Sequence, residues 1–149
     1  MRKMWLLRRM KANHLEASVI FEYYIKEIRI LTEHGVAISN SGLTSSQVQM
    51  LEKIQKVALK IILGEDYHSF EKARQKFNLK LLSERRLDLS TRFALKLYNS
   101  KYSSHFYNKS HCDVKTRSRT PLVEPLCNTK KCYQAPHNYL TRLVNQNAC

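Results

Sequence analysis

Thr44-Ser45-Ser46-Gln47-Val48-Gln49-Met50-Leu51-Glu52-Lys53-Ile54-Gln55-Lys56-Val57-Ala58-Leu59-Lys60-Ile61-Ile62-Leu63-Gly64 holds a start, two faces and a stop in one uninterrupted stretch. Thr44 and Gln47 fit a capping box, in which the Thr hydroxyl accepts from the third residue's N–H and the Gln side chain reaches back to the first. Val48, Leu51, Ile54, Val57, Ala58, Ile61 and Ile62 recur at three- and four-residue steps, the signature of an apolar helical face. Lys53, Lys56 and Lys60 fall away from that face. Gly64 supplies the stop.

Working outward, Leu15, Val19, Phe21, Tyr23, Tyr24, Ile25, Ile28 and Leu31 recur at mixed three- and four-residue steps. They predict a helix of about five turns ending near His34-Gly35. Downstream, Ser69 can cap a short helix from Phe70 to about Phe77. Ser83 with Glu84 is expected to open another that runs through Leu87, Leu89, Phe93, Ala94, Leu97 and Tyr98. With three Gly and three Pro in 149 residues, turn residues are too few for a β-rich fold. The expectation is an all-α bundle of four or five helices over residues 1–99. Residues 100–149 are rich in Ser, Asn, Thr, Tyr and Lys and hold all three prolines. They read as a basic, mostly irregular tail with little packed core.

Charge dominates the composition: 26 Lys and Arg face 12 Asp and Glu, a formal +14. A small chain with that excess repels itself until a polyanion neutralises it, and RNA or DNA backbone is the commonest such partner. The basic groups recur as Arg2-Lys3, Arg8-Arg9-Lys11, Lys53-Lys56-Lys60, Arg85-Arg86, Arg117-x-Arg119 and Lys130-Lys131. Each alone is ordinarily a solvated face. Together, interleaved with Tyr98, Tyr102, Phe106, Tyr107, Tyr133 and Tyr139 that can stack on bases, they point to nucleic acid. Arg8, Arg9, Lys53, Lys56, Lys60, Arg85, Arg86, Arg117 and Arg119 are the expected phosphate contacts.

No apolar run reaches the roughly 18–20 residues that span a bilayer, so no membrane is expected. The basic opening breaks its apolar stretch after Leu7, too early for a secretory signal, although an Arg-rich, acid-poor start also suits a mitochondrial presequence. Without a secretion signal the cysteines Cys112, Cys127, Cys132 and Cys149 read as reduced thiols of an intracellular chain, nuclear or cytoplasmic. Cys127, Cys132, His137 and Cys149 form a Cys-x4-Cys-x4-His-x11-Cys series that zinc can use. Structural zinc sites favour tighter pairs such as Cys-x2-Cys, so unliganded thiols are the ordinary reading. Glu65-Asp66 reads as a solvated helix-end pair rather than a Mg²⁺ site, because two neighbouring acids are a poor octahedral set. There is no phosphate-cradling Gly-rich loop, nucleophile elbow or His-Glu-x-x-His helix, and no catalytic residue or cofactor is assigned.

Several strings, in order, resemble the C-terminal segment of reverse transcriptases of jockey-like non-LTR retrotransposons. These are Trp5-Leu6-Leu7-Arg8-Arg9-Met10-Lys11, then Tyr24 through Ala37 with Ser41-Gly42-Leu43-Thr44. Most specific is Leu51 through Gly64, followed by Tyr67 through Ala73, Leu79 through Arg86, and the closing Asn138 through Asn145. The resemblance covers nearly the whole chain. It implies a helical, thumb-like portion that follows the catalytic palm and helps hold template and primer. The palm signature, an aromatic, any residue and two aspartates, does not occur, nor does the fingers region. The parent polymerase would use Mg²⁺ held by those acids, so the resemblance implies a non-catalytic part whose partners are the palm and fingers together with RNA or DNA. Where the family usually carries an aromatic, this chain has Ser39-Asn40, which is expected to loosen packing between the second and third helices. The rival readings are an independent small basic RNA- or DNA-binding protein and an interaction module for an acidic partner.

Overall fold

The structure, a computed structural model, describes residues 2–108 and 122–147. Among them every regular element is a helix, with no strand. In chain order the elements are α1 (Arg2–Ala12), α2 (Ala17–Tyr23), a π-helical stretch (Tyr24–Arg29), α3 (Ile30–Glu33), α4 (Val36–Ser39) and a 3-10 turn (Asn40–Gly42). There follow α5 (Ser45–Leu63), a second 3-10 turn (Gly64–Asp66), α6 (Phe70–Lys76), α7 (Leu82–Tyr98), α8 (Ser103–Phe106), α9 (Lys130–Tyr133) and α10 (Pro136–Asn147). The all-α class is as expected, but the helices outnumber the four or five read from the sequence. Several are single turns, too short to show a periodicity. No helix among the described residues is long and apolar enough to cross a membrane.

The chain forms two compact units, and they do not follow the 1–99 and 100–149 division. The first is Met1–His34 with Thr44–Arg85; the second is Gly35–Leu43 with Arg86–Cys149.

In the first unit, α5 is the central strut. Its capping box forms as the residue types require: the Thr44 N–H donates to Gln47 Oε1 at 2.9 Å and the Gln47 N–H donates to Thr44 Oγ1 at 3.3 Å. Ala58, Leu59 and Ile62 are fully buried with Leu7 of α1, Ile20 of α2 and Tyr24, and Ala73 of α6 joins them. Each buried Leu or Ile contributes about 1.5–3 kcal/mol. Phe21 stacks on Phe77 with ring centroids 4.2 Å apart. The expected five-turn helix spans α2 to α3, but its middle is π-helical. The wider turn accounts for the mixed spacing of Tyr23, Tyr24, Ile25 and Ile28, since a π turn takes in an extra residue. Burial pushes the Tyr24 phenol well above its usual range. Gly35 then takes a left-handed conformation at φ 63°, the stop that glycine adopts without steric cost.

Ser69 caps α6 through its Oγ, which accepts from the Lys72 N–H at 3.2 Å. The start of α7, however, is at Leu82 rather than after Ser83. Glu84 reaches back to accept from the Leu81 N–H at 3.1 Å, and the Ser83 N–H is taken by Glu52 Oε1 at 2.8 Å.

The second unit overturns the expectation of an irregular tail with little core. Leu122, Leu140, Leu143 and Val144 are buried with Ala94 of α7 and Tyr107. The inward face of α10 also carries Asn138, Thr141 and Asn145, which disguise it as polar. Asn145 acts as a backbone surrogate: its Nδ2 donates to the Leu122 carbonyl and its Oδ1 accepts the Leu122 N–H, both at 3.1 Å. Paired in this way, the amide's desolvation is offset by its bonds.

Candidate nucleic-acid interface

The nine expected phosphate contacts separate into three groups. Arg8 and Arg9 on α1 and Lys53, Lys56 and Lys60 on α5 are exposed. The α5 lysines stand three and four residues apart, so they share one face of that helix. Opposite them in the core lie Ala58 and Ile62. Among the described residues no carboxylate forms an ion pair with any of these five. All five belong to the first unit.

Arg85 and Arg86 do otherwise. Arg85 is half-buried and grips Glu33 with two guanidinium nitrogens, Nε to Oε1 and Nη2 to Oε2, the latter at 3.2 Å. Arg29 reaches the same carboxylate at 3.3 Å. Arg86 is only 5% exposed. Its Nε donates to Asn40 Oδ1 at 3.2 Å and its Nη2 to Ser39 Oγ at 3.1 Å. Asn40 in turn donates to the Tyr139 hydroxyl at 2.9 Å. Ser39 and Asn40, expected to loosen packing, are therefore the acceptors that let a guanidinium be buried. Both arginines are internal ties and are not presented to a backbone. Arg117 and Arg119 lie outside the described residues.

The lysines of α1 also have partners within the chain. Lys3 pairs with Glu27. Lys11 Nζ donates to the Ile62 carbonyl at 3.0 Å, closing the C-terminus of α5 with a cation where the helix dipole favours one.

Sequence reading missed several cations of the second unit. Arg92 and Lys96 are exposed on α7 at i, i+4 spacing, a signal present in the sequence. Lys101 lies 5.1 Å from the Tyr102 ring centroid. Arg142 covers the Tyr133 ring at 3.6 Å while donating to the Tyr133 carbonyl at 2.6 Å. Of the proposed stacking aromatics, Tyr107 is buried, donates to the Ala94 carbonyl at 3.3 Å and has its phenol pushed up to about 12 by desolvation. Tyr98 and Tyr139 pack against the same core. Tyr102, Phe106 and Tyr133 remain exposed.

The cysteine series is brought partly together. Cys127 and Cys132 place their sulfurs 3.1 Å apart, and the Asn138 Nδ2 donates to Cys127 Sγ at 3.3 Å and to the Cys132 carbonyl at 2.8 Å. The neighbouring Cys132 pushes the Cys127 thiol up. His137 instead stacks with Tyr107, ring centroids 6.5 Å apart. Cys112 and Cys149 lie outside the described residues. Among the described residues no three His, Cys, Asp or Glu side chains gather to hold a metal ion. Glu65 and Asp66 are exposed, and Asp66 lies 3.9 Å from Lys76. No protein-family model, curated protein or solved structure matches the chain.

Proposed function

We propose that the chain binds nucleic-acid backbone, as the C-terminal, thumb-like part of a non-LTR retrotransposon RNA-directed DNA polymerase without its catalytic palm. The observation that carries the reading is the set Arg8, Arg9, Lys53, Lys56 and Lys60, exposed in one unit without carboxylate partners among the described residues. Such cations displace condensed counterions from phosphates, and they read charge rather than sequence. The ordered strings from Trp5 to Asn145 support the polymerase origin. Ile30, Leu31 and Met50, more than half exposed on the first unit, are apolar side chains that a palm domain would cover.

The test is retardation of mixed duplex oligonucleotides across a salt series. If all five cations engage phosphate, log K falls with log salt at a slope of about −4.5, and affinity drops several hundredfold, roughly, between 50 and 200 mM. Replacing Lys53, Lys56 and Lys60 with Ala reduces that slope by about 2.7. A folded chain that retards neither RNA nor DNA at about 50 mM salt overturns the proposal.

A further inference from the structure

Trp5 is the one tryptophan of the chain, and it is 60% exposed. On a helix, residues three before, three after and four after are its neighbours; for Trp5 these are Arg2, Arg8 and Arg9, all exposed. The Arg9 guanidinium carbon lies 5.8 Å from the indole centroid. Helix α1 contains no acidic residue. Its core face is occupied by Leu7, with Met4 and Met10 packed beside it, so Trp5 is not needed for burial. A flat aromatic surface is held in solvent with the Arg9 guanidinium beside it and Arg2 and Arg8 on the same side of the helix.

We propose that Trp5 is a stacking platform for an unpaired base, with Arg2, Arg8 and Arg9 taking the flanking phosphates, so that this face of α1 prefers single-stranded over duplex nucleic acid. The inference rests on the phosphate-binding reading above and adds strandedness to it. Every base offers a π face, and aromatic stacking with arginine alongside is tolerant of sequence. In a duplex those faces are already stacked on one another, and the indole meets only backbone. A helix that lies in an acidic bilayer surface buries a continuous apolar face. In α1 that face is spent on the core, and Leu6 is the only other large apolar side chain it exposes.

The full chain reports on itself through the emission of Trp5. An oligothymidylate of about 12 nucleotides quenches it at saturation, and a duplex of equal length leaves it nearly unchanged. By anisotropy of labelled oligonucleotides, Trp5→Ala weakens single-strand binding about tenfold and Trp5→Phe recovers part of the loss. Duplex affinity and the helical circular dichroism stay as in the parent chain. The proposal is overturned if saturating single strand leaves the emission unchanged, or if Trp5→Ala binds single strand as the parent does while both bind duplex. In those cases phosphate binding itself stands. Absence of binding to either oligonucleotide removes the phosphate reading and this one with it. A blue shift on phosphatidylserine/phosphatidylcholine vesicles, with no quenching by either oligonucleotide, assigns the face to lipid and equally overturns it.

Discussion

Replacing Arg86 with Ala removes a cation that the fold, rather than a ligand, requires. Two bonds from a charged donor are lost, to Asn40 at 3.2 Å and Ser39 at 3.1 Å, in a site where the side chain is 5% exposed. Bonds to charged groups contribute about 1.5–3 kcal/mol each. Ser39 is exposed and regains water, so its share sits at the low end. Asn40 keeps its bond to Tyr139 but leaves Oδ1 short of a donor. The expected loss is about 3 kcal/mol, a fall in urea midpoint of about 1.5 M for a slope near 2 kcal/mol/M. Arg86→Lys recovers roughly half, because a point charge cannot serve both acceptors as a planar fork does. Arg92→Ala, at an exposed position of the same helix, changes stability by less than about 0.5 kcal/mol. Urea unfolding followed by circular dichroism compares the three. Equal midpoints for Arg86→Ala and Arg92→Ala would falsify the assignment of Arg86 as an internal tie.

Thr44→Ala removes the capping-box acceptor and lowers stability by about 1 kcal/mol in the same urea assay. Gly64→Ala costs about 1–3 kcal/mol by thermal or urea unfolding: Gly64 sits at φ +60°, and an added Cβ would lie 3.1 Å from Lys11 Cε. Ile62→Ala, fully buried, costs about 2–5 kcal/mol; a loss under about 1 kcal/mol shows that the first unit's core is packed otherwise. Tyr107 ionises near 12 in the fold against an ordinary 10.0, so the folded state holds the proton more tightly than the unfolded chain. The stabilisation is complete below pH 10 and is lost as pH rises from there through 12. Tyr107→Phe flattens that alkaline decline in unfolding midpoints, at a cost of about 1 kcal/mol near neutrality from the lost bond to Ala94.

How much of this was legible depends on whether the determining contact is local. The box of Thr44 and Gln47, the stop at Gly35 and the lysine face of α5 rest on residues within a turn or two of each other, and each is present as read. Arg85-Arg86 looked like a surface pair because their acceptors, Glu33, Ser39 and Asn40, lie about 50 positions earlier in the chain. The packing of α10 was hidden for a related reason. Asn138, Thr141 and Asn145 interrupt its apolar stripe, and only their pairing with Cys132, His137 and Leu122 makes that face fit for burial. Cys127 and Cys132 do meet while His137 turns to Tyr107, and their spacing in the sequence could show neither.

The cations of α1 that stand exposed are guanidinium, Arg2, Arg8 and Arg9, whereas those of α5 are ammonium, Lys53, Lys56 and Lys60. The two helices therefore differ in covalent reactivity as well as position. Acylating reagents silence the α5 lysines and leave the arginines of α1 intact, while arginine-selective dicarbonyls do the reverse. The ammonium and guanidinium shares in holding a polyanion can thus be titrated separately by reagent, on the unaltered polypeptide.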